Sequence, residues 1–312
     1  MRFKALSGYG DKTVTYGDCF LLYTDTVLIV YDCGHTKHAD AVIRFLQSMP
    51  RVAKINIIAS HGHRDHTGGI CDLFEKLHDD YVVEVYLPLY LKLSKGVHDE
   101  LNDGRRKPHK TKEHIVEAFS EIDRLHDKSK EHGITIKDAT KGTQIAQECT
   151  IVGPKKDDIV VVVAKAVEDD TASIDGETVM NAASVQLKCI LDGNKSLLLC
   201  GDATPEYLPD NLDDYDIIHL PHHGRLDNAM SVFDDLTDSH SKTYIVSDNT
   251  NNTVTSGGSD ALVKYMKDEN YAAALNTKDG DIDFTSAGKI TQVSKRRSVP
   301  LGDINDLADM RS

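Results

Sequence analysis

The segment Ala59-Ser60-His61-Gly62-His63-Arg64-Asp65-His66-Thr67-Gly68-Gly69 constrains the fold of this chain more than any other stretch. Three imidazoles and a carboxylate fall within six positions, directly after the apolar run Ile55-Asn56-Ile57-Ile58-Ala59, which predicts a buried strand. Polar groups gathered at a strand end lose hydration as the chain packs, so such a cluster is costly unless a cation sits in it.

Spacing refines this expectation. If the strand ends near Ser60, His61 and His63 project to the same side of an extended segment, where two neutral imidazoles can converge on one divalent ion. Asp65 and His66 lie past the turn and are placed to hold a second ion a few ångströms away, the geometry of a two-metal hydrolytic site. Gly68 and Gly69 let the backbone turn tightly into a helix predicted over Ile70 to Leu77. A histidine-rich surface loop would not require ligand spacing throughout.

With 312 residues the chain can bury a full core, as one large α/β domain or two small ones. It has no apolar run long enough for a membrane span, and Met1-Arg2-Phe3-Lys4-Ala5-Leu6-Ser7-Gly8 lacks the apolar stretch of a secretory signal, so the expected location is the cytoplasm. The six cysteines form no C-x-x-C pair, and several sit in apolar runs, which predicts buried reduced thiols. A net charge of −14 excludes a general nucleic-acid binder, because backbone affinity needs clustered cations. One segment runs against that balance: Arg105-Arg106-Lys107-Pro108-His109-Lys110-Thr111-Lys112 places five cations in eight positions, as a solvated loop or a phosphate-facing one.

Along the chain, Val14 to Tyr23 and Thr26 to Asp32 read as two strands, the second delivering Asp32 to a strand end beside Gly34. A helix from about Ala39 to Ser48 leads to the strand before the cluster, and this β-β-α-β order predicts a sheet covered by helices. The strand Tyr81 to Leu87 precedes a long polar section, 91–131, in which Ile115, Val116, Phe119, Ile122 and Leu125 keep helical spacing. Ile134-Thr135-Ile136, Cys149 to Pro154 and Ile159 to Val167 read as strands. Val185 to Leu191 and Ser196 to Cys200 form a hairpin turning at Asp192-Gly193-Asn194. Asp202 repeats the position of Asp32, an acid at a strand end next to a glycine, and Ile217-Ile218-His219-Leu220-Pro221 stops at the pair His222-His223. A helix near Ser259 to Met266 and a last hairpin precede the tail, 294–312. The expected organisation is one domain over 1–293, with a helical insertion at about 91–131.

The order of these strand-end motifs resembles the metallo-β-lactamase fold superfamily, and more specifically its ComEC-like branch, in a stand-alone form. The resemblance runs over Gly17-Asp18-Cys19-Phe20-Leu21-Leu22, Asp32-Cys33-Gly34, His61 to Gly69, Asn181-Ala182-Ala183-Ser184-Val185, Gly201-Asp202, Pro221-His222-His223-Gly224 and Asp279-Gly280-Asp281-Ile282. It implies a four-layer αββα fold, two packed sheets flanked by helices. It also implies that His61 and His63 bind a first metal, that Asp65 and His66 bind a second, and that Asp202 bridges them. One of His222 and His223 would complete the second site and the other would face substrate, while Asp32 would orient ligands by hydrogen bonding. Many members of the superfamily place a further histidine on the first metal, where Asn181 to Ser184 falls here, and no histidine occurs between His132 and His219. The first site is therefore expected to be the weaker, completed by water, Asn181 or Ser184, with manganese as suitable as zinc.

These readings converge on a metal-dependent hydrolase, a phosphodiesterase or nuclease, in which a hydroxide held between two ions attacks phosphorus. Asp65, His222 and His223 would be the catalytic side chains, with a late histidine protonating the leaving oxygen, and Arg105, Arg106 and Lys107 would face the phosphates. The expected partner is a phosphodiester or nucleic-acid substrate, without membrane insertion. Two alternatives stand beside it: a small-molecule ester, lactone or thioester hydrolase of the same fold, and a non-catalytic, metal-stabilised module within a protein assembly.

Overall fold

The computed structural model describes residues 1–7, 17–89, 94–101, 107, 110, 112–113, 116, 119–168, 181–182, 184–247, 260–285 and 289–294. Within them run the strands β1 (Arg2–Ala5), β2 (Phe20–Tyr23), β3 (Val27–Tyr31), β4 (Lys54–Ile58), β5 (Val82–Leu87), β6 (Thr135–Asp138), β7 (Gln144–Ala146) and β8 (Cys149–Gly153). There follow β9 (Gln186–Leu191), β10 (Lys195–Leu199), β11 (Ile217–His219), β12 (Thr243–Val246), β13 (Leu275–Asn276), β14 (Gly280–Phe284) and β15 (Ile290–Ser294).

They form two mixed sheets, an eight-stranded one in the order β15-β14-β1-β2-β3-β4-β5-β6 and a seven-stranded one in the order β13-β12-β11-β10-β9-β8-β7. The strands β3 to β6 are parallel to one another, and so are β10 to β13, while the remaining pairs are antiparallel.

Alternation along the strands assigns the layers. In β3, Leu28 and Val30 face one apolar cluster with Ala39, Val42, Ile70, Leu73 and Phe74 from the outer helices, whereas Ile29 and Tyr31 face the other sheet. In β10, Leu197 and Leu199 meet that inter-sheet cluster, and Leu198 points outward to Val232, Phe233 and Leu262. Three apolar layers between four structural ones is the predicted αββα arrangement, and each fully buried Leu, Ile or Phe side chain contributes about 1.5–3 kcal/mol. The helix Thr36–Gln47 shows the local logic: the His35 side chain accepts the Lys37 N–H at 3.0 Å, and Ala39, Val42 and Leu46 make its buried stripe.

Several predicted boundaries shift. Ile159 to Val167 is not a strand but part of the helix Lys156–Glu168, opened by Asp157 and Asp158 in its first turn, with Ile159, Val162 and Val163 buried against the outer face of the first sheet. Its valine run is apolar at both periods, so alternation could not separate the two conformations. The segment 91–131 carries the helices Ser94–Leu101 and Ser120–Glu131. The hairpin turns as expected at Asp192–Asn194, with Gly193 at φ 74°. Cys149 and Cys189, directly opposite on β8 and β9, are joined by a disulfide, a correction to the expectation of reduced thiols; Cys19, Cys33, Cys71 and Cys200 are free. Facing positions on neighbouring strands are not visible in spacing along the chain. No helix among the described residues is long and apolar enough to cross a membrane.

Candidate metal centre

Both sheets deliver polar residues to the same edge, the carboxyl ends of their parallel strands. Asp32 follows β3, Ser60 and His61 follow β4, Asp202 follows β10, His222 and His223 follow β11, and Ser247 follows β12. Loops at such ends are free of the ladder and collect functional groups.

The loop after β4 winds into a one-turn helix, Arg64–Thr67, started by His63 in extended conformation. That turn carries His66 back over the strand end, so that its ring centroid lies 4.2 Å from that of His61. The ring of His63 packs at 4.6 Å against His61 on the outer side and is half-buried. His66 Nδ1 lies 2.8 Å from Asp32 Oδ2, and the other Asp32 oxygen accepts the Ser60 N–H at 2.7 Å. With Nδ1–H donated to the carboxylate, Nε2 of His66 is the nitrogen turned to Asp202 Oδ1, at 3.2 Å. His61 Nδ1 is 3.0 Å from Ser60 Oγ, and its Nε2 stands 3.8 Å from Asp202 Oδ2.

On the far side, His223 Nε2 lies 3.3 Å from Asp65 Oδ2 and 3.6 Å from Asp202 Oδ2. His222 Nδ1 lies 3.4 Å from Asn181 Nδ2. Asp32, His222 and His223 have φ of 60°, 52° and 55°. Left-handed backbone at non-glycine residues costs on the order of 1–3 kcal/mol each and is concentrated where side chains must be aimed.

Burial and charge oppose one another throughout. Burial pulls His66 down, yet Asp202, Asp18 and Asp32 outweigh it and leave the ring well above the usual histidine range; His223 is raised in the same way by Asp202 and Asp18. Burial likewise works to raise Asp202 and Asp65, but His223 and His66 hold both below the usual carboxylate range. Burial dominates at Asp32, which is raised, and at His61, which is pushed well below the usual range beside two other imidazoles.

The donors fit divalent cations. His61 Nε2, His66 Nε2 and Asp202 Oδ1 are buried without a hydrogen-bond partner among the described residues. Two overlapping groups, His61–His66–Asp202 and Asp18–His66–His223, each bring one donor atom per residue within 4.8 Å of the others. Asp18, Asp32 and Asp202 are buried and the Asp65 side chain is only 16 % exposed, so four carboxylates share the site. With neutral imidazoles they sum to −4, which two divalent ions would balance (2 × +2 = +4).

Of the other expected residues, Asn181 and Ser184 are buried, Lys107 is exposed, and Arg105 and Arg106 lie outside the described residues. Sequence reasoning left out Asp18, Ser60, His219 and Ser247. The Gly17-Asp18 pair was the one available signal; a single serine after a strand carries none.

The family model of the metallo-beta-lactamase superfamily matches residues 13–247. No match was found among proteins of curated function. Among solved structures, a Thermotoga maritima protein described as a candidate metallo-beta-lactamase superposes with a TM-score of 0.35 at 10% identity, over 64% of this chain and 76% of that one. A metallo-beta-lactamase from Cronobacter sakazakii gives 0.32 at 17% identity, over 61% and 58%, and one from Novosphingobium pentaromativorans gives 0.33 at 13% identity, over 88% and 83%. The weight rests on the family model, which covers β2 to β12 and every donor described above.

Proposed function

Because this chain belongs to the metallo-beta-lactamase superfamily, we propose that it is a metal-dependent hydrolase of phosphodiesters, nucleic acids included, of the ComEC-like kind. The observation that carries the metal dependence is the buried set of four carboxylates around His61, His66 and His223, whose charge two divalent ions would balance. When bound, zinc or manganese ions there supply Lewis acidity and bring the pKa of water toward neutrality.

The chain's own groups divide the remaining work. His61, His66 and Asp202 would hold one ion, with His63 on its outer side. Asp65 and His223 would hold the other, and Asp202 faces both halves. Asp32 keeps the proton of His66 on Nδ1, away from the site. His222, beside Asn181, would protonate a leaving oxygen.

The phosphodiester reading is supported by the insertion. Thr67, next to His66, donates to Glu121 Oε1 at 3.2 Å, which ties the helix Ser120–Glu131 to the metal loop. The same insertion carries the basic run, of which Lys107, Lys110 and Lys112 are exposed. The net charge of −14 favours a second reading, hydrolysis of a small ester, lactone or thioester, since the surface as a whole repels a long polyanion.

Purified protein loaded with Mn²⁺ or Zn²⁺ is to be assayed on single- and double-stranded DNA, RNA, cyclic nucleotides, an aryl phosphodiester, and an ester, lactone and thioester panel. Turnover of a phosphodiester that falls with added salt, and falls again in Lys107→Ala, is the expected result. Turnover confined to the uncharged panel would transfer the assignment to the second reading. With metal shown bound, no turnover at all would reject both.

A further inference from the structure

Asp18 is buried at the seam between the sheets, and the catalytic reading above gives it no task. Its backbone N–H donates to the Asp65 carbonyl at 2.8 Å and its carbonyl accepts the Gly34 N–H at 2.8 Å, which locks it to the metal loop. Its side chain reaches the opposite sheet: Oδ2 accepts from Ser247 Oγ at 2.8 Å, and Oδ1 lies 3.3 Å from His223 Nδ1. Ser247 in turn stands 2.8 Å from His219 Nε2, and its carbonyl is 2.9 Å from His223 Nδ1.

Counting protons fixes the arrangement. Ser247 gives its one hydroxyl proton to Asp18, so His219 must donate from Nε2 to Ser247 Oγ; His219, held neutral by burial at a pKa of about 4, has one proton to give. Nδ1 of His223 faces the Ser247 carbonyl, the Asp18 carboxylate and, at 3.4 Å, the Ser247 hydroxyl, whose proton is given to Asp18; none of them donates to it, so Nδ1 carries a proton. Nε2 is then the nitrogen left for a cation, and it is the one directed at Asp65 and Asp202. Asp18 therefore backs His223 mainly through Ser247, whose hydroxyl it holds and whose carbonyl takes the Nδ1 proton, while its own Oδ1 lies 3.3 Å from Nδ1 without a hydrogen bond.

We propose that Asp18, working with Ser247, is a positioning residue that fixes the ring and tautomer of His223 so that Nε2 is presented to a cation beside Asp65 and Asp202. Asp18 groups with His66 and His223 at cation-holding distance, but the ring atoms nearest to it are the Nδ1 nitrogens, so the part assigned to it is positioning rather than ligation. The imidazole nitrogens nearest to it are His223 Nδ1 at 3.3 Å, His219 Nε2 at 3.8 Å and His66 Nδ1 at 3.9 Å; each directs its proton to another partner, and Asp18 Oδ2 is held by Ser247. The proposal rests on the metal-dependent reading, and it makes the second half of the centre depend on the two sheets being docked.

The test compares wild type, Asp18→Asn and Ser247→Ala by calorimetric titration with Zn²⁺, by the visible spectrum of the Co²⁺-loaded protein, and by long-range ¹H–¹⁵N correlations of the histidine rings. Wild type is expected to take two equivalents and to show His223 protonated on Nδ1 alone. Asp18→Asn should keep one site and weaken the other about 10–100-fold, with a changed Co²⁺ spectrum and mixed His223 tautomers; Ser247→Ala should show a smaller change in the same direction. Equal loss at both sites, unaltered affinities, or an unaltered His223 tautomer in Asp18→Asn would overturn the proposal. If Asp18→Asn does not fold, Ser247→Ala decides alone, and an unchanged His223 signature in it overturns the proposal. Should wild type bind no metal, the functional reading fails, while the tautomer comparison still judges the role of Asp18.

Discussion

Asp32 and His66 form a fully buried pair, Oδ2 to Nδ1 at 2.8 Å, at the junction of the first sheet and the metal loop. The carboxylate has its second oxygen on the Ser60 N–H, so one side chain sets both the ring of His66 and the backbone entering His61. A histidine oriented in this way presents one defined lone pair instead of two rotating alternatives.

Asp32→Asn isolates the charge of this pair. Position 32 has φ 60°, and asparagine tolerates that region better than most side chains, so the backbone should stand. Metal affinity is expected to fall about 10–100-fold with little change in fold, read by calorimetric titration alongside circular dichroism. Asp32→Ala should fare worse, losing both hydrogen bonds at a strained position.

Metal removal should destabilise the protein. Binding to the folded state alone stabilises it by RT ln(1 + [L]/Kd), about 2.7 kcal/mol at a hundredfold excess over Kd for one site. At roughly 2–4 °C per kcal/mol for a chain of a few hundred residues, the melting temperature should drop by about 5–10 °C with chelator and recover on adding Mn²⁺ or Zn²⁺. Scanning calorimetry before and after chelation, with metal content measured, checks this. An unchanged melting temperature after proven metal loss would contradict it.

Gly34→Ala should damage both fold and site. A Cβ at that position would lie 1.7 Å from the Asp65 carbonyl oxygen, so main chain has to move rather than a flexible side chain. A loss of about 3 kcal/mol in urea unfolding is expected, the scale of overpacking a tight backbone contact. Because the displaced segment carries Asp65 and His66, metal affinity should fall with it.

His38 gives a pH dependence set mainly by its own burial, with Asp18 a smaller opposing influence. It is buried on the helix Thr36–Gln47 with Nε2 3.2 Å from the Ser7 carbonyl, and burial lowers its pKa from 6.5 to about 4. The unfolded chain binds the proton first as pH falls, so the contribution of neutral His38 is complete above about pH 6.5. It declines from there to about pH 4, where it is gone. The 2.5-unit gap corresponds to about 3 kcal/mol. Unfolding titrations at pH 7.5 and 5.0 should show a smaller decrease in His38→Gln than in wild type.

The strands were legible in the sequence wherever an apolar run met a turn. Val27–Tyr31, Lys54–Ile58 and the hairpin around Gly193 fall where the pattern puts them, because alternation and turn chemistry are local properties. The helix Lys156–Glu168 was not, since a run of valines buried on most sides has no period to read. Nor was the Cys149–Cys189 bridge, which depends on β8 and β9 lying side by side in that register.

Sequence alone determined which donors this chain has to offer: His61, His63, Asp65 and His66 stand within six positions, and Asp32, Asp202 and the pair His222-His223 each follow an apolar run. What it could not determine was which atoms of them meet. The one-turn helix Arg64–Thr67 brings His66 beside His61 and Asp202, the turn after the strand Ile217–His219 aims His223 at Asp65 and Asp202 and places His222 beside Asn181, and Asp18 becomes part of the site only because Ser247 arrives from the other sheet. Ligand identity is written in covalent neighbours, whereas a shared cation-sized space is made by residues far apart in the chain, and only docking of the two sheets closes that distance.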